Sequence, residues 1–394
     1  PAGVIVAVDL PPSLAGKRIA VVGLGVEGAA TARWLLDRGA DVEVRDQRPA
    51  AELSDVLKPL GNVPTACGPE YLDGLEAYEV VFRTPVLPTT HEALEHARSN
   101  GTLVTSHTRL FMELCPAPIV GVSGTKGKGT TAGLIHAMLE AGGKQAFLGG
   151  NIGQPPLEFL DEVNADSVVV LELSSFQLED VDRSPQVAVV TNLTADHLDR
   201  HASLEEYHAA KRGLVMHQSA DDLAILNADD RGSKAIAEYA GGRVEWFSTK
   251  RPVDPGAFTQ AGDIVLKTPS VNGTICSVDD VPVPGEHNRA NVLAACVAAA
   301  AFDVPNEAMA KAIKAFQGLP YHLEAIGEHG GVAFFNDSYA TNPTATIPAI
   351  ESFDRPLVLI VGGAEKQADF SELAKVIAER NVRALVTIPP EGER

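Results

Sequence analysis

The sequence predicts an α/β protein made of three consecutive α/β domains, and three observations carry that expectation. At 394 residues the chain is too long for one ordinary domain, and 45% hydrophobic residues are enough to fill sizeable cores. A β-branched run, a glycine-containing turn and an Ala-rich helical pattern recur along it, which is the signature of parallel sheets covered by helices on both faces. Gly-rich strand ends fall near residues 23, 124 and 362, one for each unit.

In chain order the expected strands are Arg18–Val22, Pro118–Val122, Ser167–Leu171, Val187–Thr191, Leu223–Leu226 and Leu357–Val361. The Pro-containing stretches Cys115–Pro118 and Gln317–Pro320 mark the boundaries, giving domains of residues 1–114, 115–317 and 318–394. The Pro/Gly-rich stretch Arg251–Pro284, with short apolar alternations, predicts a small β excursion. The longest apolar run, Val292–Phe302, falls short of the ~18 residues a membrane helix needs and reads as a buried helix.

Bulk properties narrow the function. The four cysteines lie far apart, without a CxxC pair or zinc-finger spacing, so neither a disulfide scaffold nor structural zinc is expected. The chain starts at Pro1 without a basic segment leading into an apolar one, and a reducing cytoplasm is the expected location. A net charge of -20 argues against nucleic acid or an anionic membrane as the main partner. Anionic small molecules stay open, because a pocket can be locally basic inside an acidic protein.

The first Gly-rich loop places Gly23, Gly25 and Gly28 after a strand and before an expected helix Ala29–Arg38, and the next strand, Asp41–Arg45, ends on Asp46. Glycines let the backbone approach a diphosphate, and a helix N-terminus favours its charge. The motif therefore fits an NAD(P) enzyme and fits equally a doubly wound domain without nicotinamide.

The second loop is sharper. Gly121, Gly124, Gly127 and Gly129 surround Thr125, Lys126 and Lys128, and a helix is expected to start near Thr130. Backbone N–H groups in such a loop wrap phosphates, and Lys128 supplies a point charge. Val122 stands where a strict P-loop has its first Gly, and Gly129 where it has the magnesium-binding hydroxyl, which leaves Thr130 as the nearest replacement.

Glu172 ends a buried strand, where a carboxylate is costly unless paired or metal-bound, so a magnesium ion is the expected partner. Asp196, His197, Asp199 and His201 cluster after another strand end, and helix capping by Thr194 and Asp196 is the competing explanation.

GTKGKGTT, LELSSFQLE, NLTADHLDRH, YHAAKRG, LNADD, GEHNRANVLAA, FNDSYATNP and LIVGGAEKQADFSEL follow one another in an order and spacing similar to those of the Mur ligases. The resemblance to that family runs through essentially the whole chain. It implies a Rossmann-like N-terminal domain for a UDP moiety, a P-loop-type central ATPase domain and a Rossmann-like C-terminal domain. It implies a ligase that uses ATP to join D-glutamate to a UDP-linked muramoyl-alanine through an acyl phosphate. Gly25, Gly28 and Asp46 would then lie near the UDP group. Gly124 to Thr130 would hold ATP phosphates, with Lys128 acting directly in catalysis. Thr130, Glu172 and His197 would hold two magnesium ions. Lys211, in YHAAKRG, matches a lysine that the family carbamylates, so that the carbamate joins the metal site. Asn151 and Ser174 are implied substrate contacts. His287, Asn288 and Asn291 match a stretch beside adenine, and Asp337, Thr341 and Lys366 match positions near ribose, phosphate and glutamate. A monomer acting on small molecules is expected.

The chain departs from the family at Gly129, at Tyr339 (usually Lys), at His322 (usually Arg) and at Thr84-Pro-Val86 (usually Ser-Pro-Gly). It stops at Arg394, before the family's final segment, so an incomplete C-terminal domain is expected. Competing readings are a ligase with another acceptor, of the folylpolyglutamate type, an NAD(P)-dependent oxidoreductase, and a nucleotide-binding relative without catalysis.

Overall fold

A computed structural model describes residues 8–193, 204–340, 343–363 and 369–390. The chain divides into two units, Pro1–Lys128 with Gly143–Glu245, and Gly129–Gly142 with Trp246–Arg394.

The first unit holds two sets of parallel strands. β1 (Arg18–Val22), β2 (Asp41–Asp46), β3 (Thr65–Cys67), β4 (Val80–Arg83) and β5 (Leu103–Ser106) form a sheet in the order β3-β2-β1-β4-β5. Ala20 and Val22 of β1, Val81 of β4 and Val104 of β5 meet Leu94 and Ala97 of the helix Glu92–Ser99 in one apolar cluster. β1 and β4 are neighbours while β2 and β3 lie beyond β1, so the strand order reverses at β1/β4, the crevice where open α/β sheets take ligands. The helix after β1 runs Val26–Asp37, three residues earlier than its pattern suggested, because Gly25 has extended backbone and acts as the N-cap.

β6 (Ile119–Ser123), β7 (Ala146–Gly150), β8 (Val168–Glu172), β9 (Val187–Val190) and β10 (Leu223–Asn227) follow in the order β10-β9-β6-β8-β7, with every pairing parallel. β6 and β8 are buried at every position, which is why their sequences are continuous apolar runs rather than alternations. The expected strands match within a residue or two at each end. β6 sits between β9 and β8, so its C-terminal end is this sheet's own reversal point.

In the second unit the expected β excursion is present. The Trp246–Ser248 half of β11 (Arg243–Ser248) pairs in parallel with β12 (Gly256–Gln260), and β13 (Asp263–Lys267) and β14 (Asn272–Ser277) continue antiparallel. The helix Glu286–Ala300 is buried from Val292 through Ala300, as its apolar run implied. A hairpin of β15 (Glu324–His329) and β16 (Val332–Asn336) and a parallel pair of β17 (Leu357–Gly362) and β18 (Val382–Ile388) complete the unit. No helix among the described residues is long and apolar enough to cross a membrane.

Candidate functional site

The centre of the site is the loop leaving β6. Gly124 has φ +146, and a Cβ there would collide with Thr191 Oγ1, so only glycine lets this loop lie against the end of β9. The loop is then pinned from that side. Thr125 N–H donates to the Asn192 carbonyl at 2.8 Å, and Lys126 N–H donates to Asn192 Oδ1 at 3.0 Å. Thr191 Oγ1 and Asn192 Nδ2 both donate to the Lys126 carbonyl, at 2.7 and 2.9 Å. The helix begins at Lys128, and its first turn carries Gly129 and Thr130. Lys128 Nζ donates to the Thr125 carbonyl at 3.1 Å, which folds the cation back over the loop.

Lys211, on the helix Leu204–Arg212, is 2% exposed, and its Nζ donates to Ser123 Oγ and to the Gly124 carbonyl, both at 3.1 Å. A buried ammonium under the loop is the arrangement that sequence physics could not supply, because a lysine on a polar helix is normally solvated.

Glu172 closes β8 at 3% exposure. Asn151 Nδ2 donates to its Oε1 at 3.3 Å, and Asn151 N–H donates to its backbone carbonyl at 2.9 Å, so Asn151 orients the carboxylate. Ser174 caps the short helix Ser175–Leu178 in a reciprocal capping box with Gln177. Glu172 and Lys211 are the donor types that suit a hard divalent cation, the latter only once converted to an anionic group. His197 lies outside the described residues, and among the described residues no group of three His, Cys, Asp or Glu forms a metal cluster.

At the β1/β4 crevice, a Cβ on Gly28 would collide with the Gly23 carbonyl, so Gly28 lets helix and loop approach, while Gly25 faces open space. Asp46, 3% exposed, accepts from Leu24 N–H at 2.7 Å and from Arg48 Nε and Nη2, both at 2.9 Å. Burial works to raise the Asp46 carboxyl, but the Arg48 and backbone hydrogen bonds outweigh it and hold it below the usual carboxylate range. Asp46 therefore shapes the loop, and the half-exposed Arg48 is the cation that sequence reasoning missed. It stands two residues beyond the fingerprint acid, where no spacing rule points to it.

Two further contacts tie this crevice to the segment after β8. Arg83, with a side chain that is 0% exposed, donates Nε to Asp180 Oδ2 at 2.7 Å and Nη2 to the Phe176 carbonyl at 2.9 Å. Gln177 Nε2 donates to Glu27 Oε1 at 2.5 Å. Burial pushes the Glu27 carboxyl up to about 7.

The second unit holds the remaining candidates. Asn288 Nδ2 donates to the Pro284 carbonyl at 2.7 Å, and Asn291 Nδ2 donates to Asn288 Oδ1 at 3.2 Å. Asp337 accepts from Leu323 N–H at 2.8 Å, and burial raises its carboxyl. His322 and Tyr339, two of the departures, stack on each other with ring centroids 4.1 Å apart. Thr341 and Lys366 lie outside the described residues.

Three family profiles match consecutive stretches of the chain. They are the N-terminal domain of MurD-like Mur ligases over residues 17–106, the Mur ligase middle domain over 122–299 and the Mur ligase glutamate ligase domain over 323–394. The UDP-N-acetylmuramoylalanine–D-glutamate ligase of Symbiobacterium thermophilum is 38% identical over 96% of this chain and 84% of its own length. The ligase of the same name from Roseiflexus sp. is 40% identical over 95% of this chain and 84% of its own length. Among solved structures, MurF from Acinetobacter baumannii matches with a TM-score of 0.60 at 19% identity, covering 96% of this chain and 79% of that one. MurC from Thermotoga maritima matches with a TM-score of 0.59 at 19% identity, covering 96% and 86%. The two structures support the fold alone. With three consecutive domain matches and relatives of this identity along nearly its whole length, the chain belongs to the Mur ligase family, among its UDP-N-acetylmuramoylalanine–D-glutamate ligases.

Proposed function

We propose that this chain joins D-glutamate to UDP-N-acetylmuramoyl-L-alanine at the expense of ATP, through an acyl phosphate, in the synthesis of peptidoglycan precursors. The single observation that supports the reading best is the pinned loop at residues 124–128 with buried Lys211 beneath it. Domain limits of 1–114, 115–317 and 318–394, a cytoplasmic location and a monomeric state belong to the same reading.

In this account the loop Gly124, Thr125, Lys126, Gly127, Lys128, Gly129 and Thr130 cradles the ATP phosphates, with the Thr125 and Lys126 N–H groups kept on Asn192 so that the remaining backbone N–H groups face the phosphates. Lys128 leaves the Thr125 carbonyl and turns its ammonium onto them. Thr130, Glu172, His197 and a carbamylated Lys211 would hold two magnesium ions, whose chemistry is to offset the repulsion between γ-phosphate and substrate carboxylate. Asn151 fixes the Glu172 carboxylate, and Ser174 keeps the following turn in place. Gly25 leaves room for the UDP diphosphate at a helix N-terminus and Gly28 lets that helix pack against the loop, with Asp46 and Arg48 shaping the edge of the site. This removes the need for a nicotinamide there. Asn288, Asn291 and Asp337 serve the nucleoside, and Thr341 and Lys366 serve substrate and acceptor.

The carboxylate of the muramoyl-alanine attacks the γ-phosphorus and ADP leaves. The amine of D-glutamate then adds to the acyl carbon, loses a proton, and phosphate departs as the amide forms. Water must be kept out until the amine arrives, because it would hydrolyse the acyl phosphate.

The test is product mass after incubation with ATP, magnesium, UDP-N-acetylmuramoyl-L-alanine and each of a panel of amino acids. Amide product with D-glutamate is expected. Product with another amino acid instead, or with folylpolyglutamate-type acceptors, would reassign the acceptor.

A further inference from the structure

Glu27 lies in the first turn of the helix Val26–Asp37, next to Gly28 and two residues after Gly25, in the loop read above as the diphosphate site. That placement is unusual, because a carboxylate there would share a helix N-terminus with a diphosphate carrying two negative charges. Its Oε1 accepts from Gln177 Nε2, while its Oε2 is buried and has no hydrogen-bond partner. A charged carboxylate with one oxygen in that position is poorly compensated, whereas a neutral acid places its proton on Oε2 and leaves Oε1 to Gln177.

The groups around it do not supply a compensating charge outright. Arg83, at the end of β4, favours the ionised form and Asp180, beyond the helix Ser175–Leu178, opposes it. Arg83 is itself committed to Asp180 at 2.7 Å. His107, on the neighbouring helix His107–Leu114, meets the Glu27 backbone carbonyl, and burial holds its pKa at about 3, so it is neutral and adds no charge. Burial, the largest influence on Glu27, moves its carboxyl up to about 7, so both forms are present at neutral pH before any ligand arrives.

We infer that Glu27 binds the UDP-linked substrate in its neutral form, so that substrate binding draws one proton onto the Glu27 carboxyl. The inference rests on the reading of the Gly25–Gly28 loop as the diphosphate site. A diphosphate beside Glu27 disfavours the carboxylate further and raises its pKa in the complex. Affinity is then highest below the pKa of the free protein. It falls as pH rises above that value, by up to about tenfold per pH unit, until the pKa of the complex is reached.

The experiment is calorimetric titration of the chain with UDP-N-acetylmuramoyl-L-alanine from pH 6 to 9, in paired buffers of different ionisation enthalpy. Up to pH 8 both the diphosphate and the uracil of this ligand keep one protonation state, so a proton taken up between pH 6 and 8 belongs to the protein. The expected result is uptake approaching one proton near pH 8, with a dissociation constant that rises through this range. Glu27→Gln, which keeps the shape and loses the proton, should abolish the uptake and flatten the pH profile. Gln177→Ala removes the donor that holds the Glu27 pKa down, and should move the onset of weakening to higher pH. Tight binding without proton uptake, or uptake that persists in Glu27→Gln, would overturn the inference and leave the diphosphate site standing. Absence of binding at every pH would overturn both.

Discussion

Lys211 Nζ lies 3.1 Å from Ser123 Oγ, at the point where β6 becomes the Gly-rich loop. This buried contact joins a helix after β9 to the last residue of β6, 88 positions away in the chain. The amine is thus held under the loop by groups that also accept from its ammonium form. Lys211→Met keeps the stem and removes the nitrogen. Turnover should fall by about 10–100-fold or more, as for the loss of a group that supports a metal site. If Lys211 carries a carbamate, activity should also fall in bicarbonate-free buffer and return on adding bicarbonate. Unchanged turnover in Lys211→Met, measured by ADP release, would remove this residue from the site.

Arg83 and Asp180 form the most deeply buried ion pair among the described residues of the first unit, with the Arg83 side chain 0% and the Asp180 side chain 9% exposed. Arg83→Leu removes the guanidinium that faces the Asp180 carboxylate, together with its hydrogen bonds to the Phe176 and Leu87 carbonyls. A loss of about 3–5 kcal/mol in unfolding free energy is expected, read from urea denaturation. The double variant with Asp180→Leu should recover part of that loss, because it removes the orphaned charge.

Gly124→Ala tests the close approach of the loop to β9. A methyl group there meets Thr191 Oγ1 in a backbone conformation that L-residues avoid, so the loop must move while the sheet beneath stays. The kcat/KM for ATP should fall at least about tenfold, equivalent to ~1.4 kcal/mol of transition-state stabilisation. Circular dichroism should be unchanged.

His107 is wholly buried between Thr31 Oγ1, at 2.8 Å, and the Leu157 N–H, and burial lowers its pKa to about 3. Its unfolded value is near 6.5, so below that pH the unfolded chain takes up a proton that the folded chain refuses. Stability attributable to this residue is therefore complete above about 6.5 and is lost as pH falls, by up to ~1.4 kcal/mol per pH unit, until the folded pKa near 3. Glu27 acts in the opposite sense, costing stability as pH rises towards 7. The residue-specific slope is therefore read as the difference between the wild type and His107→Asn, in urea midpoints at pH 5, 6 and 7. Parallel pH profiles would contradict the assignment.

Much of this fold was legible because its signals are local. β6 and β8 are apolar throughout, and a strand buried on both faces leaves that trace. The glycines at 28 and 124 mark close approaches that a turn pattern suggests and the backbone requires. Other features arise from contacts between distant residues. Arg83 is 97 positions from Asp180, and Gln177 is 150 from Glu27, so neither pairing leaves a periodic or spaced signal. For Ser174 the family resemblance implies a substrate contact, and its described hydrogen bonds are those of a helix cap. Asn192 and Thr191 look like the end of a strand in sequence, and become the clamp on the loop only when β9 lies beside β6.

The central claim is a D-glutamate-dependent transfer from ATP at the loop that carries Lys128. The most direct measurement is phosphate release from ATP with magnesium and UDP-N-acetylmuramoyl-L-alanine, with and without D-glutamate, for the wild type and Lys128→Ala. The account predicts release that requires D-glutamate and is abolished in the variant. Release that ignores D-glutamate, or that survives in Lys128→Ala, would contradict it.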